Sequence, residues 1–69
     1  MVLIFGKDTC PYTQAALDHY KRRGVLFEYH NVKKTAAELD RMLKLNGARR
    51  RVPTIVDDDG SVTVGFGGT

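Results

Sequence analysis

The sequence has 69 residues, a net charge of +3 and a single cysteine. A chain of this length forms one small domain close to the lower limit for a self-supporting core, so we predict one domain over residues 1–69. One cysteine cannot form an internal disulfide, which argues against a secreted domain held together by disulfides. We find neither a signal peptide nor a membrane-spanning apolar run, so we expect a cytoplasmic protein that does not bind membranes. We also expect a monomer.

The first half of the chain predicts a strand, a helix and a second strand. The apolar run at residues 1–6 is typical of a strand buried on both faces. A helix is predicted over residues 11–23, because Pro11 suits the first helical position and Gly24 suits the stop. Residues 25–32 are β-prone and predict the second strand.

The second half predicts a helix followed by a β-hairpin. Thr35 and Glu38 have the spacing of a capping box, and Asn46-Gly47 marks the end of that helix. Residues 53–56 and 61–64 predict two strands joined by the turn at 57–60. The resulting order, β-α-β-α-β-β, predicts an α/β fold with a mixed four-stranded sheet, in which the first two strands are parallel and helices pack on the sheet.

The two charge runs predict loops rather than ligand sites. Residues 48–51 contain three arginines, but a nucleic-acid site needs a larger basic face with interleaved aromatic residues. We therefore predict no nucleic-acid partner. The aspartates of the turn at 57–60 lack the longer spacing and terminal glutamate of a calcium loop, so no metal site is predicted there.

Cys10 lies between the first predicted strand and the first predicted helix. At a helix N-cap, a thiolate can accept the free N–H groups of the first turn and is stabilised by the helix dipole. Lys7 adds a nearby cation, and these conditions lower the pKa of a cysteine. The alternative is an inert cysteine packed as a small apolar residue. The position favours the reactive thiol, which makes Cys10 the predicted catalytic residue.

Three motifs along nearly the whole chain resemble those of a glutaredoxin. Lys7 precedes a Cys-Pro-Tyr motif, Val52-Pro53 follows the second predicted helix, and Gly-Phe-Gly-Gly comes near the end. The resemblance covers residues 2–68. It implies a thioredoxin-like fold and a thiol-disulfide oxidoreductase that uses glutathione as its co-substrate. Its implied partners are glutathione and glutathionylated proteins.

The resemblance also implies which residues bind glutathione. The Val52–Pro53 peptide bond is expected to be cis and to face Cys10, so that Pro53 closes the site from the opposite side. The residues expected to line the glutathione groove are Lys7, Tyr12, Val52, Pro53, Gly67 and Gly68.

The chain departs from the common glutaredoxin pattern near both ends of the site. Thr13 stands where many members have a second cysteine, which indicates a monothiol form. Arg51 replaces the threonine that often precedes Val-Pro, and it either contacts a glutathione carboxylate or points to water. Gly67 and Gly68 stand where acidic residues often hold the ligand's amino group.

Two further departures concern the end of the chain and the catalytic position. The sequence ends at Thr69, where the family normally adds a further helix. The C-terminal helix is therefore expected to be lacking, either because this is a minimal version of the fold or because the chain is trimmed. Some bacterial relatives have selenocysteine at the position of Cys10, so this cysteine is either the native residue or a replacement.

Three other functions are compatible with the same motifs, and one of them is a degenerate fold that is used only for binding. Two monothiol subunits can bridge an iron–sulfur cluster through one cysteine each together with glutathione. A thioredoxin-like electron donor to a reductase is the third alternative, but it normally needs two cysteines, and Thr13 argues against it.

Overall fold

The computed structural model describes residues 1–67. Within this range the elements follow the predicted order, and the thioredoxin-like α/β fold is confirmed. No helix in this range is long and apolar enough to span a bilayer. The elements are β1 (Val2–Gly6), α1 (Pro11–Arg22), β2 (Phe27–Asn31), α2 (Ala36–Leu45), β3 (Thr54–Val56) and β4 (Val62–Val64).

The strands form one mixed sheet in the order β2-β1-β3-β4. Strands β1 and β2 are parallel, with Val2 opposite Phe27, whereas β3 runs antiparallel to both β1 and β4. Since β1 and β2 are parallel, their carboxyl ends and the helix N-termini that follow them meet at one edge of the sheet. This topology sets the loop before α1 and the loop before α2 close to each other.

The second strand begins at Phe27. The sequence had predicted a start at residue 25, which is two residues too early. The N–H of Val25 donates to the carbonyl of Tyr20, at the end of α1, so Val25 still belongs to the helix-to-strand connection. Leu26 is exposed, although its carbonyl accepts the N–H of Val2. The β propensity of these two residues is therefore overridden by the bond that closes the turn after α1.

Alternate side chains of β1 face opposite sides of the sheet, and both sides are covered. Val2 and Ile4 are buried with Ala16 of α1 and Ile55 of β3. Phe5 is buried on the other side, where the guanidinium of Arg41, on α2, lies 5.5 Å from its ring centroid. β1 is thus an inner strand that is packed on both faces. Its last residue, Gly6, leads into the loop that carries Cys10.

Candidate active site

Cys10 is the N-cap of α1, as predicted from the sequence. Its backbone is extended, with φ −87° and ψ 118°, and Pro11 begins the helix. The N–H of Cys10 donates to the carbonyl of Lys7 over 3.2 Å, which closes the loop between β1 and α1. The side chain makes no capping hydrogen bond, and the residue is 8% exposed. The thiol is therefore fixed at the helix terminus with a small accessible surface.

The surroundings of Cys10 lower the pKa of its thiol, although burial acts in the opposite direction. Burial is the largest single effect and raises the pKa, because it disfavours the charged thiolate. The backbone N–H and the hydroxyl of Thr13, the N–H of Tyr12 and the charge of Lys7 together outweigh it. The first turn of α1 contains no acidic residue that would oppose them. The site thus favours a thiolate, the form of cysteine that acts as a nucleophile.

Thr13 lies in the first turn of the helix that Cys10 caps, and it is completely buried. Its side chain packs against Gly6, the last residue of β1. A Cβ atom at position 6 would come within 2.5 Å of the Thr13 methyl carbon and 2.6 Å of its hydroxyl oxygen. Position 6 therefore requires glycine for steric reasons while position 13 holds threonine, and no motif in the sequence indicates this contact.

A cationic pocket of about 210 Å³ adjoins the Cys10 loop through Lys7. Lys7, Lys33 and Arg50 supply its charge, while no carboxylate is found among the described residues that line it. Its remaining lining residues are Val32, Leu39, Met42 and Val52. A pocket with three cations on an apolar floor is suited to an anionic ligand that also carries apolar surface.

The loop that brings Arg50 and Val52 to the cationic pocket is held by Asn46. The Asn46 amide group donates to the Arg49 carbonyl over 2.7 Å and to the Thr54 hydroxyl over 3.0 Å. In return, the N–H of Arg49 donates to the Asn46 side-chain oxygen. Asn46 is 8% exposed, so these bonds satisfy a buried amide. The loop then reaches the Val52–Pro53 peptide bond, which is cis.

A second cavity of about 430 Å³ lies beside Asp8. The Tyr29 hydroxyl donates to the Asp8 carboxylate over 2.8 Å, and burial, followed by this bond, raises the pKa of Tyr29. His30 pairs with Glu38 through Nδ1 and with Glu28 through Nε2. The residues that line this second cavity are Asp8, Tyr29, His30, Asn31, Lys34, Thr35 and Glu38. Because much of its charge is already paired within the protein, this cavity differs from the cationic pocket.

Comparison with known proteins agrees with this geometry. The glutaredoxin family model matches residues 2–62, which include Cys10, the cationic pocket and the cis-proline. The chain belongs to the glutaredoxin family. Glutaredoxins are thiol-disulfide oxidoreductases that generally use glutathione. The comparison with curated proteins gave no match.

Solved structures similar to this glutaredoxin-family chain cover most of its length. The thioredoxin-like protein BC3987 is 30% identical, with a TM-score of 0.85 over 97% of this chain and 89% of that one. A glutaredoxin from Archaeoglobus fulgidus is 28% identical, with a TM-score of 0.79 over 96% of this chain and 75% of that one. Wheat glutaredoxin, at 19% identity and a TM-score of 0.74 over 93% and 60% of the two chains, shows the fold alone.

Two of the residues that the resemblance assigned to glutathione binding line the cationic pocket of this glutaredoxin-family chain, and the assignment of the whole set stays a prediction. Lys7 and Val52 line the cationic pocket, and Pro53 is buried after the cis bond. Tyr12 is 40% exposed on the first turn of α1. Gly67 is exposed with a φ of 69°, whereas Gly68 lies outside the described residues.

Arg51 does not line the cationic pocket, and the neighbouring Arg50 does. The Arg51 side chain is exposed, and its backbone carbonyl accepts the Thr54 hydroxyl over 3.0 Å. Both alternatives for Arg51, contact with a glutathione carboxylate and orientation to water, stay predictions. Lys33 and Arg50 also line the cationic pocket, although no sequence motif indicates them. The signal that could have found them is their position, since each lies in a loop at the sheet edge that carries Cys10.

Proposed function

We propose that this protein is a glutathione-dependent oxidoreductase that reduces glutathione mixed disulfides through Cys10 alone. The observation that carries the proposal is the position of Cys10 at a helix N-cap, where the pKa of its thiol is lowered despite burial. The sequence contains no second cysteine. Every thiol beyond Cys10 must therefore come from glutathione or from the substrate.

The reaction consists of two thiol-disulfide exchanges. The Cys10 thiolate attacks the glutathione sulfur of the mixed disulfide, and a bond forms between these two sulfurs. The substrate sulfur leaves as a thiolate and takes a proton from water. A second glutathione, as thiolate, then attacks the glutathione sulfur bound to Cys10. Oxidised glutathione is released, and the Cys10 thiolate is regenerated.

The cationic pocket supports the choice of glutathione as co-substrate. Glutathione carries two carboxylates, and Lys7, Lys33 and Arg50 offer cations without a lining carboxylate to compete for them. Binding one end of glutathione beside Lys7 holds its sulfur near Cys10, three residues further along the chain. The pocket thereby contributes orientation, while the helix terminus supplies the reactive thiolate.

Substrate choice provides the direct test of this proposal. A glutathionylated peptide and a protein disulfide are each supplied with glutathione, and the rates are measured for the natural protein, Thr13→Cys and Cys10→Ser. We expect the natural protein to reduce the peptide and to act poorly on the protein disulfide, because no neighbouring thiol can free Cys10 from the substrate. Thr13→Cys should gain protein-disulfide reduction, since positions 10 and 13 bracket one helical turn.

Arg50 and Arg51 provide a matched pair for the binding pocket. Arg50→Gln should raise KM for the glutathionylated peptide by roughly three- to tenfold, the size expected for one charged contact. Arg51→Gln, one residue away with the same loss of charge, should leave KM near its natural value. Equal effects of both substitutions, or turnover that survives in Cys10→Ser, would contradict the proposal. Iron–sulfur cluster binding and electron donation to a reductase stay predictions.

A further inference from the structure

The hydroxyl of Thr13 is a buried polar group that is not used in the packing of the fold. The residue is 0% exposed, and the hydroxyl oxygen has no hydrogen-bond partner among the described residues 1–67. A buried polar group left unpaired costs free energy, and native proteins rarely keep one without a reason. Valine has the same shape and would fill the position without this cost. The hydroxyl therefore calls for a functional explanation.

The packing around Thr13 restricts where this hydroxyl can go. Gly6 contacts both its methyl group and its hydroxyl, so closely that any side chain at position 6 would collide with them. Thr13 is in the first turn of α1, whose N-cap is Cys10. The side chain is thus held against the end of β1, one helical turn from the N-cap residue Cys10.

We propose that the Thr13 hydroxyl is a catalytic hydrogen-bond donor that is engaged when Cys10 ionises, so that it takes over part of the work a second thiol does in a two-cysteine site. The role rests on the proposed function of Cys10. A neutral thiol is a weak acceptor, so the hydroxyl gains little from a bond to Cys10 while the thiol is protonated. A thiolate is a strong acceptor, and a hydrogen bond to a charged group is among the stronger ones in proteins.

The effect of Thr13 on the Cys10 titration agrees with this role. Although burial raises the pKa of Cys10, the Thr13 N–H and hydroxyl are the two largest influences that lower it. Solvent has little access to replace the hydroxyl, since Thr13 is completely buried and Cys10 nearly so. The contribution of the side chain is therefore separable from that of the backbone by substitution at position 13.

The donor serves both exchanges of the reaction. In the first exchange Cys10 is the nucleophile, and the donor raises the fraction of thiolate at neutral pH. In the second exchange glutathione attacks its own half of the mixed disulfide, the bond to Cys10 breaks, and the electron pair stays on the Cys10 sulfur. A leaving thiolate of lower pKa departs faster, so the same hydroxyl assists its release.

The test compares Thr13→Val, which replaces the hydroxyl with a methyl group, with Thr13→Ser, which keeps the hydroxyl and removes the methyl group. Thiolate absorbance against pH and the rate of alkylation by iodoacetamide are measured for each, with circular dichroism as the check on folding. Thr13→Val should titrate at higher pH and be alkylated roughly three- to tenfold more slowly at neutral pH. Thr13→Ser should stay near the natural protein in both measurements.

Two results distinguish this role from the proposed function, because neither measurement involves glutathione. Unchanged titration and alkylation in Thr13→Val, with normal glutathione turnover in the natural protein, would overturn the role of Thr13 alone. The expected shift in Thr13→Val, with no glutathione turnover in the natural protein, would support the hydrogen bond and overturn the proposed function. Should Thr13→Val not fold, Thr13→Ala against Thr13→Ser gives the same comparison, with the same result deciding it.

Discussion

The two helices of this protein begin at the same edge of the sheet but use their N-caps differently. At α2, the Thr35 hydroxyl accepts the N–H of Glu38 over 3.4 Å, which satisfies one of the free donors of the first turn. At α1, Cys10 has the same extended backbone but makes no capping hydrogen bond. The Thr35 cap stabilises α2, whereas the Cys10 cap leaves the N–H donors of α1 available for a sulfur that changes its charge.

Charges in the first turn follow the same division. Glu38 lies in the first turn of α2, where a carboxylate interacts favourably with the helix dipole. The first turn of α1 contains no acidic residue, so a Cys10 thiolate has no competitor for the positive end of that dipole. A helix N-terminus can therefore stabilise either the fold or a reactive anion. The comparison predicts that substitutions at the two caps have opposite consequences.

Cys10→Ser should give the largest effect, a complete loss of turnover with an intact fold. Serine is a preferred N-cap residue, and its hydroxyl can accept the N–H groups that the thiol leaves free. At a pH low enough to keep the natural thiol neutral, we expect the free energy of unfolding to stay the same or to rise by up to about 1 kcal/mol. Urea unfolding and turnover of a glutathionylated peptide measure the two halves. A large loss of stability would show that the Cys10 cap is structural after all.

Thr35→Ala should produce the reverse, a loss of stability with the thiol unaffected. Removing a threonine cap costs about 1 kcal/mol. Because Thr35 caps a different helix, the thiolate titration of Cys10 should not move. Thr35→Ser, which keeps the capping oxygen, is the matched control and should recover most of the stability. A shift in the Cys10 titration in Thr35→Ala would mean that the two helix termini are coupled.

The sequence predicted both helix caps but not the packing around Cys10. Thr35 and Glu38 carry a local capping signature, and Cys10 precedes Pro11, so a short window is enough to place each cap. Thr13 was noticed only as a missing thiol. Its burial against Gly6 depends on how β1 and α1 pack, and no spacing along the chain reports that contact.

For the same reason, the sequence predicted only some of the residues that line the cationic pocket. Lys7 was found because it precedes a short motif, while Lys33 and Arg50 lie in loops whose direction is set by distant contacts. Asn46 is the C-cap of α2, as the sequence predicted, but its bonds to Arg49 and Thr54, which hold the loop that carries the arginines, have no local sequence signal. Choosing between Arg50 and Arg51 requires that loop conformation, which sequence alone does not provide.

Two tyrosines contribute their own pH dependence to stability, and it has to be separated from the contribution of Cys10. Burial raises the pKa of both Tyr20 and Tyr29. A raised pKa in the folded state gives stability that is lost as pH rises, but only above the ordinary tyrosine value of 10.0. Below that pH, and in the difference between two proteins that both contain them, their contributions cancel to first order.

The smallest effect we predict is a pH dependence of stability that comes from Cys10. Its folded pKa lies below the ordinary thiol value of 9.0, so the unfolded chain holds more protons between those two values, and stability rises with pH there. The contribution is complete above the unfolded pKa and is lost as pH falls through the folded one. Urea unfolding of the natural protein and Cys10→Ser, from about pH 6 to about pH 9.5, measures it as a difference. That difference should move in favour of the natural protein with rising pH, because serine does not ionise. A constant difference would mean that the N-terminus of α1 does not favour the thiolate, and the contrast with α2 would then be one of stability alone.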